Sequence, residues 1–204
     1  MPHPEITIRQ IINPDDPAVT GFMEVYRDAF GRAPYFEVYD DDEVILNVWR
    51  EHLAKGCVFV ALDGDVVVGL SCAHVADNDV ELSVQQHLLG NLEACPFNPS
   101  MTTFMSELAV RETYEGMGIG SMLLLARLRW GIGAGHVHAA MRTADKGSNS
   151  AHLYRRYGAL EATELLQHIS APAGESQSKF RTYYWGTLQE MVAAIEDHQA
   201  RYAS

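Results

Sequence analysis

The 204-residue chain lacks several things, and each absence excludes a class of protein. No run of about 18 apolar residues occurs, so no membrane-spanning helix is expected. Cysteine is scarce: Cys57, Cys72 and Cys95 are the only three. None forms a short paired spacing, which excludes a zinc cluster and a disulfide framework and points to reduced thiols in the cytoplasm. Positive charge is also scarce, with 15 Lys and Arg against 27 Asp and Glu and a formal net charge of -12. A basic nucleic-acid footprint is therefore absent, and no nucleic-acid or membrane partner is expected. Met1-Pro2-His3-Pro4-Glu5 has neither the basic nor the apolar region of a signal peptide. No internal repeat or low-complexity tract is present. What remains is 47% hydrophobic and 21% charged, the composition of a folded protein.

The charge is placed unevenly. Residues 1–100 hold 5 basic and 17 acidic residues, whereas 101–204 hold 10 of each. Solvation alone explains an acidic surface; the sharper reading is a cationic ligand on one side and an anionic one on the other.

Periodicity predicts the elements. Glu5–Ile12 alternates as a strand. Asp16 and Pro17 open a helix running to about Phe30, broken by Gly31-Arg32-Ala33-Pro34. Asp40-Asp41-Asp42-Glu43 opens a second helix, with Val44, Ile45, Val48, Trp49, His52 and Leu53 on one face, ending at Gly56. Cys57–Leu62 and Val66–His74 read as a hairpin around Asp63-Gly64-Asp65. Residues 77–100 read as an insertion with a short helix near Val84–Leu92. Phe104–Val110 is a strand, Gly116 to about Ile132 a long apolar helix, and His136–Arg142 a strand. Ser148 or Asn149 caps a helix ending at Gly158. Leu160–Ile169 and Phe180–Trp185 form a closing strand pair around a loop, Ala171–Ser178. Thr187-Leu188-Gln189-Glu190 is a capping box that opens the last helix. Hairpins mixed with strand-helix-strand units imply a mixed α/β sheet flanked by helices, not a fully parallel one. A single domain over 1–204 is expected, with the insertion at about 77–100 and a C-terminal helix at about 187–202.

The most informative segment is Glu115-Gly116-Met117-Gly118-Ile119-Gly120-Ser121, between a strand and a long helix. Glycines allow close backbone approach, and the free N–H groups of a helix start gather positive potential, so the pattern suits a phosphate or diphosphate. A dinucleotide fingerprint needs glycine where Ser121 stands and an acidic residue ending the next strand, which here ends in Arg142. A P-loop needs Gly-Lys-Ser/Thr, which is absent.

Ser106-Glu107-Leu108-Ala109-Val110 followed by Tyr114 to Leu123 resembles motif A of the GCN5-related N-acetyltransferases. Their Arg/Gln-x-x-Gly-x-Gly/Ala pattern aligns as Glu115-x-x-Gly118-x-Gly120. Asn149 to Ala159, with Leu153-Tyr154 and Gly158, resembles motif B. The two motifs stand in the family order at the usual separation. Glu115 departs from the pattern, since a carboxylate beside a diphosphate is unfavourable. The resemblance implies that family's fold, a central mixed sheet with strands splayed at the cofactor site. It also implies acetyl-CoA as donor and a primary amine as acceptor, with no metal.

By the same resemblance, backbone groups of Leu108, Ala109 and Val110 meet the pantetheine arm. Those of Glu115, Gly116, Met117, Gly118, Ile119, Gly120 and Ser121 hold the diphosphate, with Asn149, Tyr154 and Arg156 also on the cofactor. Tyr154 occupies the position of the general acid. Glu107 is the candidate base, acting through water on an ammonium that must lose a proton. Tyr35, Phe36, Tyr39 and Asp40, with Glu107, are the candidate acceptor contacts, because aromatics interleaved with carboxylates suit a cationic amine. The acceptor is read as a small cationic metabolite or antibiotic, aminoglycoside- or polyamine-like. The alternatives are a protein or peptide amine, or a non-catalytic acyl-CoA-binding module. A homodimer is a family-level expectation. His136 and His138, on one face of a predicted strand, have metal spacing but no third ligand nearby.

Overall fold

The computed structural model describes residues 5–33, 35–76, 98–144, 146–170 and 176–202, with side chains outside 162–170, 176–180 and 202. The strands are β1 (Ile6–Ile11), β2 (Gly56–Asp63), β3 (Val66–Val75), β4 (Thr102–Val110), β5 (His138–Thr143), β6 (Leu160–Ser170) and β7 (Ser176–Thr187). The α-helices are α1 (Ala18–Gly31), α2 (Asp41–Val44), α3 (Glu51–Lys55), α4 (Ile119–Gly133), α5 (Asn149–Arg156) and α6 (Leu188–Tyr202). The seven strands form one mixed sheet in the order β1-β2-β3-β4-β5-β7-β6. β1 runs antiparallel to β2, β4 parallel to β5, and β5 antiparallel to β7. The short helix read at Val84–Leu92, the acidic residues of the insertion and Cys95 lie outside the described residues.

The described residues divide into two compact units: one takes those up to Ala73, Glu107–Arg127 and Ser170–Gln177, the other the rest. In the first, Asp16 Oδ1 accepts from the Ala18 N–H at 2.9 Å and Pro17 already has helical dihedrals, so α1 starts where its cap allows. Its inner face buries Phe22, Val25, Tyr26 and Phe30 with Trp49, Val48 and Leu70. Phe22 meets Trp49 edge to face at 5.1 Å, a geometry worth about 0.5–1.5 kcal/mol beyond area burial. The Trp49 indole N–H donates to the Pro14 carbonyl at 2.8 Å, so this indole's buried donor is satisfied.

The second predicted helix is present but not uniform. α2 carries a full capping box, with Asp40 accepting from the Glu43 N–H and Glu43 from the Asp40 N–H. A π-helical turn over Ile45–Arg50 then interrupts it before α3. The wide turn keeps Val44, Val48, Trp49 and His52 all buried, and periodicity cannot announce it.

In the second unit, Thr102–Met105 pairs with His138–Met141, and β5 continues against β7 from His138↔Thr187 to Thr143↔Thr182. Phe104, Ala140, Tyr183 and Ala76 form its core cluster. Ser148, not Asn149, caps α5, accepting from the Ala151 N–H at 3.2 Å. Gly158 at φ 86° ends that helix, as expected from its place after the last apolar residue. β7 starts at Ser176, so part of the predicted loop is strand. The Thr187 hydroxyl donates to the Glu190 carboxylate at the start of α6.

Candidate active site

The glycine segment lies wholly in the first unit, between the end of β4 and α4. The helix begins at Ile119 rather than at Gly116, because Gly116 (φ 78°) and Gly118 (φ 82°) hold left-handed turns that no L-residue adopts cheaply. The N–H groups of Ser121 and Met122 return to the Gly118 carbonyl. Those of Gly116, Met117, Gly118, Ile119 and Gly120 have no acceptor among the described residues. A Cβ built on Gly116 or Gly118 meets nothing within 4 Å. The loop is thus an open run of donors at the start of a fifteen-residue helix, the arrangement that binds anions.

Three side chains anchor it. The Arg111 Nε donates to the Val67 carbonyl at 2.8 Å, and its Nη2 pairs with Glu24 at 2.7 Å. The Tyr114 hydroxyl donates to Asp63 at 2.8 Å. Glu115, the departure from the motif, is engaged by Arg32 at 2.5 Å. The same guanidinium donates to the Val110 carbonyl at 3.3 Å and lies 3.4 Å from Glu112.

At the start of this stretch, Arg127 on α4 is fully buried, 0% exposed. Its Nη1 donates to the Glu107 carbonyl at 2.9 Å and the Cys72 carbonyl at 3.2 Å. In a trans peptide C=O and N–H point opposite ways, so this contact turns the Leu108 N–H away from Arg127. Leu108 and Val110 are partly buried and Ala109 is buried. Arg127 Nε and Nη2 have no hydrogen-bond partner among the described residues.

The candidate acceptor residues fall in the same unit. Tyr35, Glu37 and Tyr39 are partly buried while Phe36 and Val38 alternate outward, each 71% exposed. Phe36 has φ 52°, strained for a non-glycine residue and of a kind that gathers at ligand sites. The Tyr39 hydroxyl donates to Glu37 at 2.7 Å, and its ring meets Tyr26 at 5.3 Å. Burial raises the Tyr26 pKa well above its ordinary value, and the negative charge of Glu107 raises it further. Tyr39 is raised by burial, by its bond to Glu37, and by the charges of Glu37 and Glu107. Burial, then Glu107, raises the Cys72 thiol as well. Two phenols and two carboxylates therefore act as one electrostatic cluster, with Glu107 felt by every phenol in it. Asp40 is occupied as the cap of α2.

Motif B lies in the second unit. Tyr154 is 2% exposed, its ring 6.1 Å from that of Tyr184. Asn149 is exposed in the first turn of α5 and Arg156 is exposed in its last. Arg155 donates to the Lys146 carbonyl at 2.7 Å. His136 precedes β5 rather than belonging to it, and its Nδ1 lies 2.8 Å from the Thr103 hydroxyl, so the two histidines do not share a strand face. Among the described residues no three His, Cys, Asp or Glu side chains gather as a metal site.

Comparison with known proteins gives the family. The sequence model described as the acetyltransferase (GNAT) family matches residues 19–159. The chain belongs to the GNAT acetyltransferases. It is an acyltransferase whose donor is acetyl-CoA. Its fold is shared with an N-acetyltransferase from Staphylococcus aureus Mu50 at 14% identity and TM-score 0.64, covering 90% of this chain and 99% of that one. It is shared with yncA from Salmonella typhimurium, solved with its cofactor acetyl-CoA, at 15% identity and TM-score 0.60, covering 90% and 94%. The ribosomal-protein-S18-alanine N-acetyltransferase from Escherichia coli is similar at 12% identity and TM-score 0.59, covering 90% and 94%. No curated protein matches in sequence. The open donors of 116–120 fit the anionic end of the GNAT co-substrate, since backbone N–H groups at a helix start donate to a diphosphate.

The sequence does not single out three residues that the structure brings to these elements. Tyr26 was read only as one residue of a helix. Arg32 was read only as part of a helix break, and nothing local ties it to Glu115, 83 positions away. Arg127 left a signal: it stands four residues after Leu123, on the buried stripe of an apolar helix, where a charge is out of place.

Proposed function

We propose that this acetyltransferase moves the acetyl group of acetyl-CoA to a primary amine of a small cationic molecule, polyamine- or aminoglycoside-like, in the cytoplasm. The observation that carries this reading is the Glu107–Tyr26–Tyr39–Glu37 cluster. An ammonium is attracted by two carboxylates, and exposed Phe36 adds an aromatic face for cation–π contact, worth about 0.5–1 kcal/mol at an exposed position. The acidic balance of residues 1–100 favours the same sign of acceptor.

Bound acetyl-CoA supplies an activated acetyl thioester. The N–H groups of 116–120 would hold its diphosphate, backbone groups of Leu108, Ala109 and Val110 would meet the pantetheine arm, and a backbone N–H near Val110 would polarise the thioester carbonyl; the Glu107 carbonyl of the same strand is held by Arg127. Glu107 takes the proton of the ammonium, directly or through one water, so that the amine lone pair can form the C–N bond. By the family resemblance alone, Tyr154 would give a proton to the coenzyme A sulfur as the C–S bond breaks and take the second proton of the new amide nitrogen, and Asn149 and Arg156 would contact the cofactor.

The test is thiol release from acetyl-CoA across polyamines, aminoglycosides, amino acids and lysine peptides. Release with a small polyamine or aminoglycoside is expected. Release only with peptides makes the acceptor a protein amine, and no release from any amine while acetyl-CoA binds reduces the site to a binding module.

A further inference from the structure

Glu112 and Glu115 put two carboxylates on a loop whose N–H groups are open to an anion. Unopposed, both would repel a diphosphate, and because both carboxylates are solvent-exposed that repulsion weakens as salt rises. Arg32 meets both, and it arrives from the C-terminal end of α1 rather than from the loop itself. Its carbonyl also accepts from the Tyr35 and Phe36 N–H groups, which fixes its backbone in the turn after α1. The guanidinium is therefore held from both ends, and it is still 30% exposed. Its contacts to Glu112, Glu115 and Val110 leave further N–H donors for an incoming oxygen.

We propose that Arg32 is the cation of the diphosphate site, supplied from the turn after α1 to the glycine loop, and that it offsets the carboxylates of Glu112 and Glu115. The inference rests on the acetyl-CoA reading of the loop. Arg32 offsets the charge of Glu112 and Glu115, so that an anion can enter the loop. The pair has opposite consequences at its two ends. Losing Arg32 uncovers two carboxylates; losing the Glu115 charge leaves a guanidinium with more positive potential to offer.

Coenzyme A binding by calorimetry tests this in the wild type, Arg32→Gln, Glu115→Gln and the double variant, with thermal unfolding of each without ligand. A unit charge at such range is worth on the order of tenfold in binding, so Arg32→Gln is expected to bind about tenfold more weakly. Glu115→Gln is expected to bind more tightly than wild type, and the double variant between the two. The gap between the single variants should narrow as sodium chloride rises from about 50 to about 500 mM. Equal weakening by both substitutions makes the pair a structural tie and overturns the proposal, as does a gap indifferent to salt. If Arg32→Gln does not fold, Glu115→Gln decides alone: weaker binding overturns the proposal and tighter binding supports it. A wild type that binds no coenzyme A overturns the cofactor reading itself, and the Arg32 proposal with it.

Discussion

The proposed proton path rests on Glu107 more than on any other side chain. Its charge reaches Tyr26, Tyr39 and Cys72 from one strand position, and its carbonyl is held by a buried arginine. We predict that Glu107→Gln lowers kcat by about 10²-fold near neutral pH while coenzyme A affinity stays near wild type. If Glu107 is the base, that deficit shrinks at alkaline pH, where more of the amine is already deprotonated. Tyr154→Phe should lower kcat by a similar factor of about 10² without that recovery. Unchanged turnover in either variant removes the residue from the proton path. Glu107 was legible because it stands in a motif; Tyr26 was not, because a tyrosine on a buried helix face has the same pattern as any core aromatic.

The glycine loop shows how an element serves a site through backbone alone. Gly118 sits at φ 82° with open space above it, so an added methyl group clashes with nothing but strains the turn by about 1–2 kcal/mol. We predict that Gly118→Ala lowers the melting temperature by roughly 2–8 °C and weakens coenzyme A binding by at least about tenfold. A drop in stability with unaltered affinity would mean that the donors of 116–120 do not hold the diphosphate. Sequence pattern alone puts the helix start at Gly116, three residues before Ile119. Glycine is compatible with a first turn, and only dihedral angles distinguish a helical glycine from a left-handed one. The π-turn at Ile45–Arg50 escaped for a related reason, since the apolar spacing of Val44, Val48 and Trp49 is the same with or without it.

Acid groups that burial keeps neutral give the protein an alkaline limit. Burial pushes the Cys57 thiol up to about 12 from its ordinary 9.0, with Arg127 opposing weakly. Cys72, Tyr26 and Tyr39 are raised in the same direction, and all four lie in the first unit. The folded state holds these protons to a higher pH than the unfolded chain does. Their contribution to stability is whole below about pH 8 and is lost as pH rises through 9 and beyond. Urea unfolding between about pH 7 and pH 10.5 should show a falling midpoint, and Cys57 and Cys72 should resist thiol reagents until the protein opens. A midpoint flat across that range would contradict the burial of these groups. Among the described residues no helix is long and apolar enough to cross a membrane.

Local chemistry settled much of this protein before any tertiary contact was known. Alternation and helical spacing depend only on which residues neighbour each other, so the order of strands and helices could be read directly. The hairpin at Asp63-Gly64-Asp65, the acidic cap at Asp40 and the stop at Gly158 are likewise short-range events. The paired motifs were enough to indicate the family because they join a backbone conformation to a chemistry. Charge pairing across long separations was beyond that reach. Glu115 looks like a flaw along the chain and becomes the partner of Arg32 only when α1 is laid against the loop. Arg127 stands out along the chain as a charge on an apolar stripe, but only when the helix packs does its guanidinium meet the carbonyls of Cys72 and Glu107. Electrostatic energy falls off with distance in space, not along the sequence, so the tertiary structure decided which charges belong to the site.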